Sequence, residues 1–169
     1  GGMKLTMPRP SRLIVLVASL AVIFALVSFF VINRAESAAS DQAEASDAAT
    51  GVAAESLPKI LGYKYASIEK DLDSATDLMT TSFAKKYTEL SPQLTATATG
   101  QKIDVEAVVR EIAPLECGQE CSETTVRVLA FVDQHRTIAG VVGSPAALSV
   151  VVKMSKVDGD WLVADLTTS

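Results

Sequence analysis

The chain is poor in the residues that carry chemistry. Among its 169 residues there is one histidine, His135, and there are two cysteines, Cys117 and Cys121. A metal centre built on thiolate and imidazole needs more donors than these, so the sequence predicts no metal. It has no glycine-rich phosphate loop, no Gly-x-Ser-x-Gly elbow and no internal repeat, and therefore predicts no nucleotide cofactor and no serine-hydrolase site. No acidic residue precedes Glu36.

What fills the front of the chain is an apolar run from Leu13 to Ile32, uncharged and proline-free, with only the hydroxyls of Ser19 and Ser28 as polar side chains. At the helical rise it spans roughly 30 Å, the hydrocarbon thickness of a bilayer. A backbone in that solvent must satisfy its own hydrogen bonds, which predicts a helix. Lys4, Arg9 and Arg12 precede it and Arg34 follows, an arrangement that predicts a cytoplasmic N-terminus. A cleaved signal with its site near Ala35–Ala38 is the alternative, but the run exceeds the roughly 7–15 residues of such segments. The expected protein is single-pass in the plasma membrane, with residues 1–12 in the cytoplasm, a transmembrane helix over 13–32 and an extracytoplasmic remainder. Gly1 and Gly2, ahead of Met3, read as a cloning remnant. Ala18, Ala21, Ala25 and Ser28 recur at spacings of three, four and three, with Ser19 beside them. They form a small-residue face suited to a partner membrane helix as well as to lipid.

Twelve of the fifteen basic residues and all twenty acidic ones lie beyond the run, so the exported part carries −8. That balance excludes a nucleic-acid surface and opposes general electrostatic docking to anionic lipid. Residues 33–56 are rich in Ala, Ser, Asp and Glu and hold Val52 as their one bulky apolar side chain. They predict a partly helical stalk of roughly 36 Å that breaks near Pro58. A single domain follows over 57–169.

Ile68, Leu72, Ala75 and Met79 recur at helical spacing, with Ser67 as the expected N-cap. Phe83, Tyr87, Leu90 and Leu94 form a second stripe, with Thr80–Ser82 as caps, an expected kink at Pro92 and an end at Gly100. Beyond Gly100 the period changes to two. Ile103–Arg110, Thr124–Gln134, Ala147–Val157 and Trp161–Leu166 read as strands, Val141–Val142 as a strand extension, and Asp158-Gly159 as a tight hairpin turn. Helices first and an antiparallel meander after them predict an α+β fold, its helices packed on a curved sheet. Cys117 and Cys121 sit four apart, which in an oxidising compartment is most simply a local disulfide, with free thiols as the alternative. The spacing is not the C-x-x-C of redox catalysis.

Four segments then match a known family. Ile60-Leu61-Gly62-Tyr63-Lys64-Tyr65 with Ile68–Leu72 resembles the Leu-x-Tyr-x-Tyr…Asp-Leu segment of Mce-associated membrane proteins. Thr80-Thr81-Ser82-Phe83 with Tyr87 resembles their Thr-Gly-x-Phe…Tyr segment. Val128–Gln134 is similar to their strand ending in Asn/Asp-Gln, and Val157–Leu166 to their closing Asp-Gly-x-Trp hairpin. The resemblance implies an NTF2-like cone. It also implies a non-enzymatic accessory subunit of an Mce lipid importer of fatty acid or sterol, partnered by Mce ring proteins and permease. The alternatives are an assembly factor of another envelope machine, such as a conjugation or secretion channel, and a lipid-binding or enzymatic cone. For chemistry the candidates are Asp133, Asp165, Tyr63, Tyr65, Tyr87 and His135, with Asp133 and His135 on one side of a strand. Glu116, Glu120 and Glu123 read as a solvated turn. Phe83, Tyr87 and Trp161 read as core.

Overall fold

A computed structural model describes residues 12–168; the side chains of residues 12–23, 33, 35, 36 and 119 lie outside the description. The chain divides into two compact units, Gly1–Asp41 and Gln42–Ser169.

In the first unit the backbone is helical from Arg12, the start of helix α1 (Arg12–Leu61). Its described apolar side chains, from Phe24 to Ile32, stand outward and are 56–75% exposed. Arg34 places its guanidinium over the Phe30 ring, 5.4 Å from the centroid. Among the described residues no helix is long and apolar enough to cross a membrane. The front half of the Leu13–Ile32 run, with Ala18 and Ala21 of the small-residue face, lies outside them, while Ala25 is exposed and Ser28 half-buried.

The second unit begins with a departure from expectation. Residues 42–61 form a packed layer of the domain, where a coreless stalk with a break was expected. Ala45, Ala49, Ala53, Leu57 and Ile60 recur every three or four residues and are all buried. Alanine combines high helix propensity with a side chain small enough to let the helix lie close on the sheet. Pro58 lies inside the helix, which continues to Leu61. Proline removes one backbone donor, and the burial of Leu57 and Ile60 on either side holds the last turn in place.

A turn of 3-10 helix (Tyr65–Ser67) leads into α2 (Ile68–Thr76) and then α3 (Thr81–Gln101). The first predicted stripe is buried throughout, at Ile68, Leu72, Ala75 and Met79. In the second, Phe83, Tyr87 and Leu94 are half-buried but Leu90 is 68% exposed. The helix does not restart at Pro92, which lies inside α3, and it ends on Lys102 in the left-handed conformation (φ 54°) rather than at Gly100. Neither Ser67 nor Thr80 caps its helix with its side chain.

Five antiparallel strands follow: β1 (Ile103–Leu115), β2 (Thr125–Ile138), β3 (Val141–Val142), β4 (Ala146–Val157) and β5 (Asp160–Thr168). The order across the sheet is β1-β2-β4-β5, with β3 paired to the end of β2. The period-two reading holds: Val126, Val128, Ala130 and Val132 of β2 and Val150, Val152 and Met154 of β4 point inward and are 0–1% exposed. Bulges interrupt the β1–β2 register between Val109 and Glu111 and the β4–β5 register at Lys153/Met154, which adds local twist. Asp158 (φ 52°) and Gly159 (φ 99°) make the expected tight turn. The unit is α+β, with helices packed on an antiparallel sheet. Cys117 and Cys121 are bonded, across a short 3-10 turn at Gly118–Glu120.

Candidate functional site

Two of the six candidate residues, Tyr63 and Tyr87, meet where α1 ends. Its last carbonyls have no helical partners, and two distant side chains supply them. The Tyr87 hydroxyl donates to the Ile60 carbonyl at 3.1 Å, and Gln134 Nε2 donates to the Leu61 carbonyl at 3.0 Å. Gly62 then lets the chain pass tightly against β1, since a Cβ there would lie 2.7 Å from the Pro58 carbonyl oxygen and 3.1 Å from that of Val105. Tyr63 exchanges both backbone hydrogen bonds with Val105, each 2.8 Å. Asp71 Oδ2 accepts from the Lys64 N–H (2.9 Å) and from Ser67 Oγ (3.0 Å), and Asp104 Oδ1 accepts from the Tyr65 N–H (2.9 Å).

Beside this junction lies an open cleft of about 780 Å³, whose wall includes Lys59, Tyr63, Asp71, Asp104, Glu106 and His135. Two of its three carboxylates are occupied by backbone N–H groups. Burial pushes the Tyr63 phenol above its ordinary range, with Arg136 opposing, and burial with the neighbouring Tyr63 pushes Tyr87 up to about 12. Both phenols are thus held neutral, and that of Tyr87 is the donor to the Ile60 carbonyl.

The remaining candidates do not converge. Asp133 pairs with Arg110 at 3.2 Å, and His135 faces Glu106 across the β1–β2 ladder. Asp165 is exposed opposite Lys153 on β5. Tyr65 packs in the smaller cluster around Ile68, Leu72 and Ala98. Trp161 belongs to the main core together with the strand valines and the α1 alanines, and Phe83 and Tyr87, partly buried, pack against it. Of the acidic turn, Glu120 pairs with Arg127 at 3.4 Å. Among the described residues no group of three His, Cys, Asp or Glu could hold a metal ion. The α1 alanine stripe and the role of Gln134 were not anticipated. The signal for the first was the four-residue recurrence of Ala45, Ala49, Ala53 and Leu57.

No protein-family model matches the chain. It is 31% identical over 130 residues to an uncharacterised protein of Mycobacterium tuberculosis, covering 73% of this chain and 55% of that one. It is 27% identical over 129 residues to an outer membrane protein of the same organism, covering 76% and 79%. The chain thus spans about half the length of the first of these relatives.

Solved structures share the fold of the second unit. A periplasmic fragment of TraM matches with TM-score 0.60 at 9% identity, covering 72% of this chain and 95% of that one. An IcmL-like type IV secretion system protein from Legionella pneumophila matches at 0.57 and 13%, covering 71% and 88%. CagV of Helicobacter pylori, a VirB8 homologue of a type IV secretion system, matches at 0.54 and 14%, covering 70% and 97%. At 9–14% identity these matches show a shared fold.

These matches correct the lipid-importer reading. The IcmL-like protein and CagV, which share the fold, are type IV secretion system proteins, and no Mce accessory protein is among the relatives and structures described above.

Proposed function

We propose that the chain is a non-enzymatic assembly or scaffold subunit of an envelope-spanning secretion- or conjugation-type machine. In this reading Leu13–Ile32 anchors it in the plasma membrane and the unit Gln42–Ser169 stands outside as an NTF2-like cone. The observation that carries the proposal is the filled cone. Its interior is occupied by Val126, Val128, Val132, Val150, Val152 and Met154 with Leu57 of α1, each no more than 1% exposed. A domain with a solid core and dispersed polar groups works through its surfaces. The shared fold with TraM, the IcmL-like protein and CagV supports the class of machine. The name of one relative, an outer membrane protein, supports an envelope location.

The test is purification of the tagged full-length chain in mild detergent, with identification of the proteins that accompany it. Recovery of a channel ATPase, core-channel or pilin-like subunits is the expected outcome. Recovery of Mce-ring and permease subunits, or of the chain by itself, overturns it.

A further inference from the structure

The face of the sheet turned away from the helices stands open. On β2 the residues between the buried valines point to it, and Phe131, at its middle, is 49% exposed. Leu129 and Val151, directly opposite each other, are half-buried beside it, and Ala113, opposite Leu129 on β1, is exposed. An apolar centre ringed by charge is the layout of a protein–protein interface.

The two ion pairs among the described residues lie on this same face, one at each end of the apolar centre. Arg110 bonds Asp133 at 3.2 Å, and Arg127 bonds Glu120 at 3.4 Å. Along β2 the order on the face is Arg127, Leu129, Phe131, Asp133, a cation and an anion equally spaced about the centre. That order fits itself when reversed. A half-turn about an axis lying in the face, across the strands between Leu129 and Phe131, lays Phe131 of one copy over Leu129 of another. The same half-turn lays Asp133 over Arg127, twice. Arg110 and Glu120, which accompany them, are opposite in sign as well. An axis along the strands would lay Arg127 over Arg127, so charge selects the antiparallel arrangement.

The other charges of the face tolerate this arrangement. Glu111, opposite Phe131 on β1, comes over Ala113. Lys153 and Asp165, opposite each other on β4 and β5, come to the level of Ala147. At the far rim Glu106 and His135, also opposite each other, come level with Thr125, and Asp104 lies a step beyond. Glu116 and Glu123 of the acidic turn stand near that rim on the other copy. Packed sheets are about 10 Å apart, more than a Debye length in physiological salt, so these exposed carboxylates repel one another weakly. Size agrees as well. Four strands about 4.8 Å apart, over the roughly 36 Å from Thr125 to His135, give a face of roughly 700 Å² in projection. A stable complex buries about 800 Å² on each partner.

We infer that a second copy of this chain packs on this face, sheet against sheet and antiparallel, with Leu129 and Phe131 at the centre and Arg127 against Asp133 of the second copy at both ends. Face-to-face packing of two twisted sheets is the ordinary way for such surfaces to be covered. The pairing goes beyond the proposed function and is independent of which machine the chain serves.

The test uses the full-length chain in mild detergent with Ala113→Cys as its one free thiol, the native disulfide being kept oxidised. From the sheet spacing and a two-residue offset, position 113 of each copy lies about 12 Å from that of the other, within reach of a short bis-maleimide. The expected result is a cross-linked pair, reduced about tenfold or more by Phe131→Asp at the centre while Trp161 unfolding stays unchanged. Asp133→Arg and Arg127→Asp, each alone, set like charge over like and should each reduce cross-linking about tenfold. Mixed together on chains with tags of different length, these two variants should cross-link to one another, because a cation again stands over a carboxylate at both ends. A chain that does not cross-link, or whose cross-linking is indifferent to Phe131→Asp, overturns the inference. So does a mixture of the two charge variants that fails to pair, since association would then not use this register.

Discussion

The junction after α1 makes opposite predictions for one substitution at two positions of the same neighbourhood. At Gly62 an added Cβ would meet two backbone oxygens, Pro58 at 2.7 Å and Val105 at 3.1 Å. Neither can rotate away as a side-chain end would. The chain must open between the last turn of α1 and β1, which strains packing by about 1–3 kcal/mol. It also loosens the Tyr63–Val105 pair, whose bonds contribute about 1 kcal/mol each. Gly62→Ala should therefore destabilise by about 2–4 kcal/mol. At Gly51, inside the same helix and exposed, a Cβ meets nothing within 4 Å. There the substitution removes only the conformational freedom of glycine and should stabilise by about 0.5–1 kcal/mol.

Trp161 makes the assay clean. It is the chain's only tryptophan and is buried in the core of the second unit, so its fluorescence reports that unit's unfolding alone. At this size 1 kcal/mol moves Tm by roughly 4 °C. Gly62→Ala should lower Tm by about 8–16 °C and Gly51→Ala raise it by about 2–4 °C. A Gly62→Ala protein as stable as wild type would refute the reasoning, because the close approach would then have no cost.

Other consequences of the same geometry can be measured with the same fluorescence. Tyr87→Phe and Gln134→Leu each leave a carbonyl of the last α1 turn without its donor and should cost about 1–2 kcal/mol in urea unfolding; a joint loss smaller than the sum would show the shared junction yielding as one piece. The folded protein holds the Tyr87 phenol neutral up to about 12, above the ordinary 10.0, so its contribution is complete below pH 10 and lost as pH rises toward 12. Tyr87→Phe should flatten the decline in Tm across that window, and an unchanged decline would assign it elsewhere. Reduction of Cys117–Cys121 opens a ring of very few residues and should cost about 2 kcal/mol with the fold retained. Ala139→Gly relieves a left-handed alanine and should stabilise by about 1 kcal/mol.

The strands were legible because their signals are local. Period-two alternation fixes which of Val126 to Val132 point inward, and Asp158-Gly159 closes a turn by its own backbone preferences. The helices were less so. Ala45, Ala49 and Ala53 bury little area each, and a count of bulky residues passes over them, yet together they form the face that α1 lays on the sheet. Pro58 and Pro92 carry a strong local break signal, yet both lie inside continuous helices. Leu90 lies at helical spacing but turns its side chain to solvent. The junction was illegible for a different reason. Tyr87 and Gln134 lie 27 and 73 residues from the carbonyls they serve, and no periodicity encodes a partner at that range.

The segments behind the family resemblance now have a physical reading. Gly62 is required by the approach to Pro58 and Val105, Tyr63 by its ladder with Val105, and Asp71 by the Lys64 N–H. Tyr87 and Gln134 are required by two orphan carbonyls, and Asp158-Gly159 by the turn before Trp161. Every one of these demands comes from closing the fold, and any chain closing it in the same way meets the same demands. A motif under such constraint identifies architecture and is silent about the machine the domain serves. Specificity must then lie in residues the fold does not need. Val141 and Val142 are the clearest instance, since no buried contact of the core depends on them and a polar pair would suit solvent better. Replacing both with threonine should leave Trp161 unfolding unchanged; a loss of stability would return them to the architecture.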